Sequence, residues 1–168
     1  GDDKITSNGD GDVVDAGEGD NTIIIGSDAG GGEFSSGDGN DSYVIEEGAS
    51  GTYTIESGDG DDSYVIKEGA TGTYTIESED GVDEFTFNDG TVTVHSGDGD
   101  KTLNLANGEL SGRDGGHAWV SGSGDDVITT DSDTSIQGYI RTGSGNDTLN
   151  LDGVFDYSAY VYAGEGND

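Results

Sequence analysis

Ser57–Lys67 reads SGDGDDSYVIK. Gly58 and Gly60 permit a tight turn and leave backbone carbonyls uncrowded. Asp62 then presents a carboxylate where the turn ends, and Tyr64 and Ile66 alternate with polar residues as a half-buried strand does. The stretch predicts a metal-holding turn that feeds a short strand. Poorer and better copies run along the chain: AGEGDNTIII from Ala16, SGDGNDSYVI from Ser36, SEDGVDEFTF from Ser78, SGDGDKTLNL from Ser96, SGSGDDVIT from Ser121 and TGSGNDTLNL from Thr142, with partial copies at Gly1 and Ala163. Aligned on the last turn residue, Asp3, Asn21, Asp41, Asp62, Asp83, Lys101, Asp126, Asp147 and Asp168 fall in one column. Its steps run from 18 residues (Asp3 to Asn21) to 25 (Lys101 to Asp126). Short strands repeating at such a period predict a solenoid.

Composition pulls the other way. The 168 residues include 37 Asp and Glu against 5 Lys and Arg, for a formal charge of −32. Leu, Ile, Val and Phe make up about 18 % of the chain, in the range of disordered sequences. Regular turns and alternating strands nevertheless argue for order, which requires that the carboxylates be neutralised. A divalent hard cation with oxygen ligands is the natural counterion. There is no Cys and there are only 2 His, which removes disulfides and argues against zinc. Many weak calcium sites fill at extracellular concentrations, so the chain is expected to be secreted. The charge argues against direct binding to nucleic acid or insertion into an anionic membrane. The chain begins and ends within turn motifs and reads as a window of a longer array.

Residues 1–25 read as compact nonapeptide coils, with Asp3, Asp12 and Asn21 evenly spaced and Ile5, Val14 and Ile23 facing inward. From residue 26 to 168 the coils are longer. One edge keeps the Gly-x-Gly-x-x-Asp turn, and the other is expected to be irregular, as in GSDAGGG, EEGASG, KEGATG, ANGELSGRDGG and TDSDTSIQG. Strands are predicted after each Gly-rich turn (Tyr43 to Ile45, Tyr64 to Ile66, Phe85 to Phe87, Leu103 to Leu105, Leu149 to Leu151). A second family lies opposite, at Thr52 to Glu56, Thr73 to Glu77, Thr91 to His95, His117 to Val120, Tyr139 to Arg141 and Ala159 to Tyr162. No stretch has helical apolar spacing, and 33 Gly disfavour helix.

SGDGNDSYV (Ser36 to Val44), SGDGDDSYV (Ser57 to Val65) and TGSGNDTLN (Thr142 to Asn150) resemble the Gly-Gly-x-Gly-x-Asp-x-apolar-x nonapeptide of RTX proteins, departing at the first Gly. The resemblance implies an all-β, right-handed parallel β-solenoid, the β-roll, with calcium between neighbouring turns and export through a type I secretion channel. It implies carboxylate ligands at Asp3, Asp41, Asp62, Asp83, Asp126, Asp147 and Asp168, and a neutral oxygen at Asn21. Carbonyl donors fall on Gly17, Gly19, Gly37, Gly39, Gly58, Gly60, Gly97, Gly99, Gly122, Gly124, Gly143 and Gly145. Glu79 replaces a turn Gly, and Lys101 stands where a carboxylate belongs, so calcium near Lys101 is expected to be weak or missing. Coils longer than two nonapeptides, with metal along one edge, look more like the extender regions of large bacterial surface proteins and adhesins than like a toxin or protease.

The expected function is therefore structural: a calcium-rigidified segment of a secreted bacterial surface or matrix protein, with calcium and other copies of itself as partners in a layer or filament. A binding module is the second class. Thr52/Thr54, Thr73/Thr75 and Thr91/Thr93 suggest an outward Thr-x-Thr ladder that would suit ice or a surface ligand, although Thr is also simply a good exposed strand residue. An RTX secretion and folding module of a toxin or hydrolase is the third. Trp119 is expected to project outward from between inward Ala118 and Val120, either as a contact residue or covered by the long loop before it. His95 and His117 read as surface strand residues without a catalytic partner. Lys101, Arg113 and Arg141 offer basic groups for calcium-assisted lyase chemistry, but nothing singles them out, and no enzyme is expected.

Overall fold

In the computed structural model, which describes residues 1–112 and 116–168, the chain winds as a parallel β-solenoid of about 7 turns. Each coil contributes a strand to each of two sheets. The first sheet contains β1 (Lys4–Ser7), β3 (Thr22–Ile25), β5 (Ser42–Ile45), β7 (Ser63–Ile66), β9 (Asp83–Phe87), β11 (Lys101–Leu105), β14 (Val127–Thr130) and β17 (Thr148–Leu151), stacked in that order. The second begins with β2 (Asp12–Asp15), β4 (Gly31–Ser35), β6 (Thr52–Glu56), β8 (Thr73–Glu77) and β10 (Thr91–His95). Beyond β10 each coil splits this strand in two: β12 (Glu109–Ser111) with β13 (His117–Val120), β15 (Ser135–Gln137) with β16 (Tyr139–Arg141), and β18 (Val154–Phe155) with β19 (Tyr160–Tyr162). Every strand pairing is parallel, and no helix occurs among the described residues.

The core is a set of inward columns, because a parallel stack in register puts like residues over like. Ile23, Tyr43, Tyr64, Phe85, Leu103 and Ile128 form one, and Phe34, Ile55, Ile76, Val94, Trp119 and Ile140 face it from the second sheet. Rings stack directly along the axis, with centroids 5.3 Å apart for Tyr43 and Tyr64, 4.8 Å for Tyr64 and Phe85, and 5.1 Å for Tyr53 and Tyr74. Buried phenols need acceptors. Tyr43 donates to the Glu56 carbonyl at 3.0 Å, and Tyr53 to the Ala29 and Ser50 carbonyls at 2.6 and 2.7 Å. Burial raises the pKa of Tyr43, Tyr64 and Tyr74.

The two edges differ in what plugs them. Along the edge after β3, β5 and β7, the turns end in buried Ala29, Ala49 and Ala70, whose N–H groups close tight turns onto Gly26, Glu46 and Lys67. Methyl groups fill those three turns. The other edge carries the Gly-rich turns.

Two expectations are corrected. Several connections taken as irregular contain strands: β4 lies partly in GSDAGGG, β12 in ANGELSGRDGG and β15 in TDSDTSIQG. Leu110 and Ile136 are fully buried and extend the second sheet's inner face, so the wider coils carry two short strands instead of a loop. Trp119 does not project outward. A register shift between His117 and Trp119 places Ala118 and Trp119 both inward; Trp119 pairs with inward Val94, and Val120 pairs with outward His95. Period-2 counting fails across a bulge, since the extra residue reverses every later face. Arg113 lies outside the described residues.

Candidate metal ladder

The Gly-rich turns stack so closely that the second glycine of each leaves no room for a side chain. Gly60 has φ 145°, and a Cβ there would overlap the Gly39 carbonyl oxygen. Gly81 stands over Gly60 in the same way. Repeated backbone bonds fix the spacing: Gly39, Gly60, Gly81, Gly124 and Gly145 each donate to the carbonyl of the next coil's mid-turn residue, at 2.9–3.0 Å.

Inside these turns runs the predicted column. Asn21, Asp41, Asp62, Asp83, Lys101, Asp126 and Asp147 are all buried, and Asp3 and Asp168 at either end of the column are exposed. From Asn21 onward each side chain except that of Lys101 accepts from the backbone N–H of the same position one coil earlier. Asp3 donates to Asn21 Oδ1 at 3.0 Å, Asn21 to Asp41 at 2.6 Å, Asp41 to Asp62 at 2.8 Å and Asp62 to Asp83 at 3.0 Å. The series resumes as Lys101 donates to Asp126 at 2.8 Å, Asp126 to Asp147 at 2.9 Å and Asp147 to Asp168 at 3.2 Å. One carboxylate oxygen per coil is therefore spent on the backbone.

The second oxygen is the informative one. Ser57 Oγ donates to Asp62 Oδ2, and Ser121 Oγ donates to Asp126 Oδ2 at 2.5 Å. At Asp41 and Asp147 the same oxygen is buried without a donor, because Ser36 bonds Tyr43 and Thr142 bonds the Ala163 carbonyl instead. A buried, unpaired carboxylate oxygen is costly. The carbonyls two and four residues back in the same turn are further electron-rich oxygens.

Two positions in the column carry nitrogen, and both nitrogens go to those carbonyls. Asn21 Nδ2 donates to the Gly17 and Gly19 carbonyls at 2.8 and 2.7 Å. Its oxygen is already taken by Asp3 N–H, so Asn21 closes its turn instead of offering the oxygen ligand expected of it. Lys101 Nζ reaches back into the turn of Asp83, donating to the Glu79 carbonyl at 3.3 Å, the Gly81 carbonyl at 2.7 Å and the Asp98 carbonyl at 3.0 Å. Asp83 Oδ2 lies 2.9 Å from the same ammonium as an ion pair, without hydrogen-bond alignment. A cation thus sits in a cage of three carbonyls and one carboxylate. The turns of Asp41 (with Gly37 and Gly39), Asp62 (Gly58 and Gly60), Asp126 (Gly122 and Gly124) and Asp147 (Gly143 and Gly145) are of the same Gly-rich kind, and the next column residue above each is again a carboxylate, with no nitrogen to reach back.

Calcium, implied by the resemblance, fits this donor set. The ligands are all hard oxygens, and some of them lack any proton donor. Among the described residues no three His, Cys, Asp or Glu side chains converge, so each cage would rest on one carboxylate and backbone carbonyls. Bound there, a divalent ion would supply the positive charge that Lys101 supplies at Asp83.

Burial, and then the carboxylates above and below, push Asp62 up to about 6, and burial does the same to Asp126. A raised carboxylate pKa means the folded chain holds protons that the unfolded chain has released. That stabilisation is complete below the ordinary carboxylate range and is lost as the pH rises through about 6. The metal-free chain is therefore expected to gain β signal as it is titrated from pH 7 towards pH 4, read by far-UV circular dichroism after exhaustive dialysis. A steady loss of β signal over that range would contradict the column's burial.

Sequence reading missed two features. A hydroxyl stands five residues before six of the column residues, at Ser36, Ser57, Ser78, Ser96, Ser121 and Thr142, a signal visible in the repeats. An outer row, Asp20, Asn40, Asp61, Asp100, Asp125 and Asn146, caps turn N–H groups of the following coil at the surface. Asp12, midway between Asp3 and Asn21 in sequence, closes a turn on the other edge by accepting from Ser7 and Gly9, as the alternation of turns between two edges leads one to expect. Trp119 connects to the column, since its Nε1 donates to Ser121 Oγ at 3.1 Å and Ser121 donates to Asp126. Comparison with protein-family models, curated proteins and solved structures finds no match to this chain.

Proposed function

We propose that this chain is a calcium-binding structural segment of a secreted bacterial surface or extracellular-matrix protein, stiff when its cages are loaded and loose when they are empty. The observation that carries this reading is the Lys101 ammonium seated on the carbonyls of Glu79, Gly81 and Asp98 beside Asp83, while Asp41 and Asp147, in turns of the same kind, each keep a buried carboxylate oxygen with no donor. Calcium binding then becomes folding free energy, because the unfolded polyanion has no preformed cage. Sites built from one carboxylate each are weak, which suits millimolar extracellular calcium and leaves them empty in a cytosol. Type I export as an unfolded chain, with folding outside the cell, follows from the same dependence. Stacking of copies in a layer or filament is the partner class that suits a rod.

Calcium counted by equilibrium dialysis, with the emission of the single Trp119 followed in parallel, tests this reading. Several calcium ions per chain and a blue shift of Trp119 as Asp126 is engaged are expected, with magnesium producing neither. Retention of no calcium at 10 mM, on the order of tenfold above the weakest extracellular sites, would remove the proposed function. A surface-binding role is a second reading, supported by the in-register ranks Thr52, Thr73, Thr91 and Thr54, Thr75, Thr93 on the second sheet. The ranks span three coils, which limits the area they offer to ice or another ligand.

A further inference from the structure

The Asp83–Lys101 contact is the buried member of the two ion pairs among the described residues; the other, Lys67 with Glu46, is exposed. We propose that the coils it joins form a calcium-independent nucleus on which the calcium cages to either side assemble. The inference rests on the calcium reading above and deepens it, since it says where in the chain calcium is not needed.

Three observations converge on those coils. First, Lys101 is fully buried, and its three ammonium hydrogens have the Glu79, Gly81 and Asp98 carbonyls and the Asp83 carboxylate around them. A buried charge pair is tolerated when its hydrogen-bonding capacity is met in this way. A cation tethered to the chain is present at any calcium concentration, so this cage fills as the coil closes. Second, the stack of aromatic rings that rises through Tyr43 and Tyr64 ends here in a cluster joined from both sheets. Phe85 stacks on Tyr64 at 4.8 Å and meets Phe87 and Trp119 edge-on at 6.0 and 5.2 Å, all buried. The ends of the rod are poorer, with only partly buried Ile5 and Val14 at one and Leu149 and Leu151 at the other; the β5 coil matches these coils in buried rings and lacks their tethered cation. Third, the pair is wired to both sides of the column: Asp83 accepts from Asp62 N–H at 3.0 Å, and Lys101 donates its N–H to Asp126 at 2.8 Å. Ordering the pair places the acceptor for the coil before it and the donor for the coil after it.

Hydrogen exchange on the full chain, read by mass spectrometry in excess chelator and then in calcium, tests the proposal. In chelator, amides of β9, β10 and β11 are expected to exchange on the order of tenfold more slowly than those of β5 and β14, and calcium should bring the flanks to the same protection. Lys101→Asp should abolish the slow segment in chelator and add about one calcium per chain, since it gives the cage the residue found in its neighbours. Lys101→Met keeps the stem and removes the charge; it should also abolish the slow segment, and it decides the matter if the Asp variant does not fold. Uniformly fast exchange in chelator, with protection restored by calcium, would overturn the nucleus and leave the calcium reading standing. Retention of the slow segment in Lys101→Met would overturn it as well. Equal protection with and without calcium would overturn both.

Discussion

In excess chelator at pH 7 the chain is expected to lose most of its β signal in far-UV circular dichroism, and millimolar calcium should restore it in one cooperative step that magnesium does not reproduce. The reason is the scale of what must be offset. A charge of −32 on 168 residues, with no disulfide, opposes compaction throughout the chain. Each cage with a dissociation constant ten- to a hundredfold below the free calcium adds about 1.4–2.7 kcal/mol to the folded state. The cages at Asp41, Asp62, Asp126 and Asp147 together contribute roughly 6–11 kcal/mol, comparable to the whole stability of an ordinary domain. Magnesium keeps its water and demands octahedral geometry, which carbonyls fixed by strand stacking do not provide. The residual signal in chelator should come from the coils around Lys101. A full β spectrum in chelator would sink calcium-driven folding.

Asp62→Ala should produce the largest loss of any single substitution in the column. The carboxylate caps Asp41 N–H at 2.8 Å, accepts from Ser57 and closes a cage, so one truncation strands a buried N–H, frees a buried hydroxyl and removes a calcium ligand. The stranded groups and the lost site together cost about 2–5 kcal/mol. In a chain of this length that lowers the melting temperature in calcium by roughly 5–15 °C. Asp61→Ala is the matched control. Asp61 is exposed and its carboxylate caps Val82 N–H at 2.9 Å, so its loss should stay within about 0.5 kcal/mol. Equal melting shifts for the two variants would show that the inner column does no more than the outer row.

The fold was legible because its decisive signal is periodic. The column from Asp3 to Asp168 and the strands after each Gly-rich turn lie in the structure where the repeats put them, and stacking in register turns one well-read coil into a reading of the whole rod. What was not legible depends on geometry that a linear pattern does not carry. Trp119 faces inward because of a bulge, and no residue in HAWV announces one. Leu110 and Ile136 were hidden among turn-forming residues, where a three-residue strand has too few alternations to be seen. At the site, the identity of the column was plain, but the direction of its bonds was not. That Lys101 reaches back to the carbonyls of Glu79 and Gly81, and that Asn21 spends its amide on its own turn, follows from where the nitrogens end up in three dimensions.

Ser36–Glu56 and Ser57–Glu77 are near-identical coils of 21 residues lying directly on one another, SYVI on SYVI and TYTIE on TYTIE. Each coil's upper face is therefore interchangeable with its neighbour's. A coding segment for one such unit can be duplicated or deleted by unequal recombination, and every surviving contact finds the partner chemistry it had before. Length then becomes a trait that changes in whole steps of about 4.8 Å, without new packing having to be invented. A chain built in this way changes its length by counting coils.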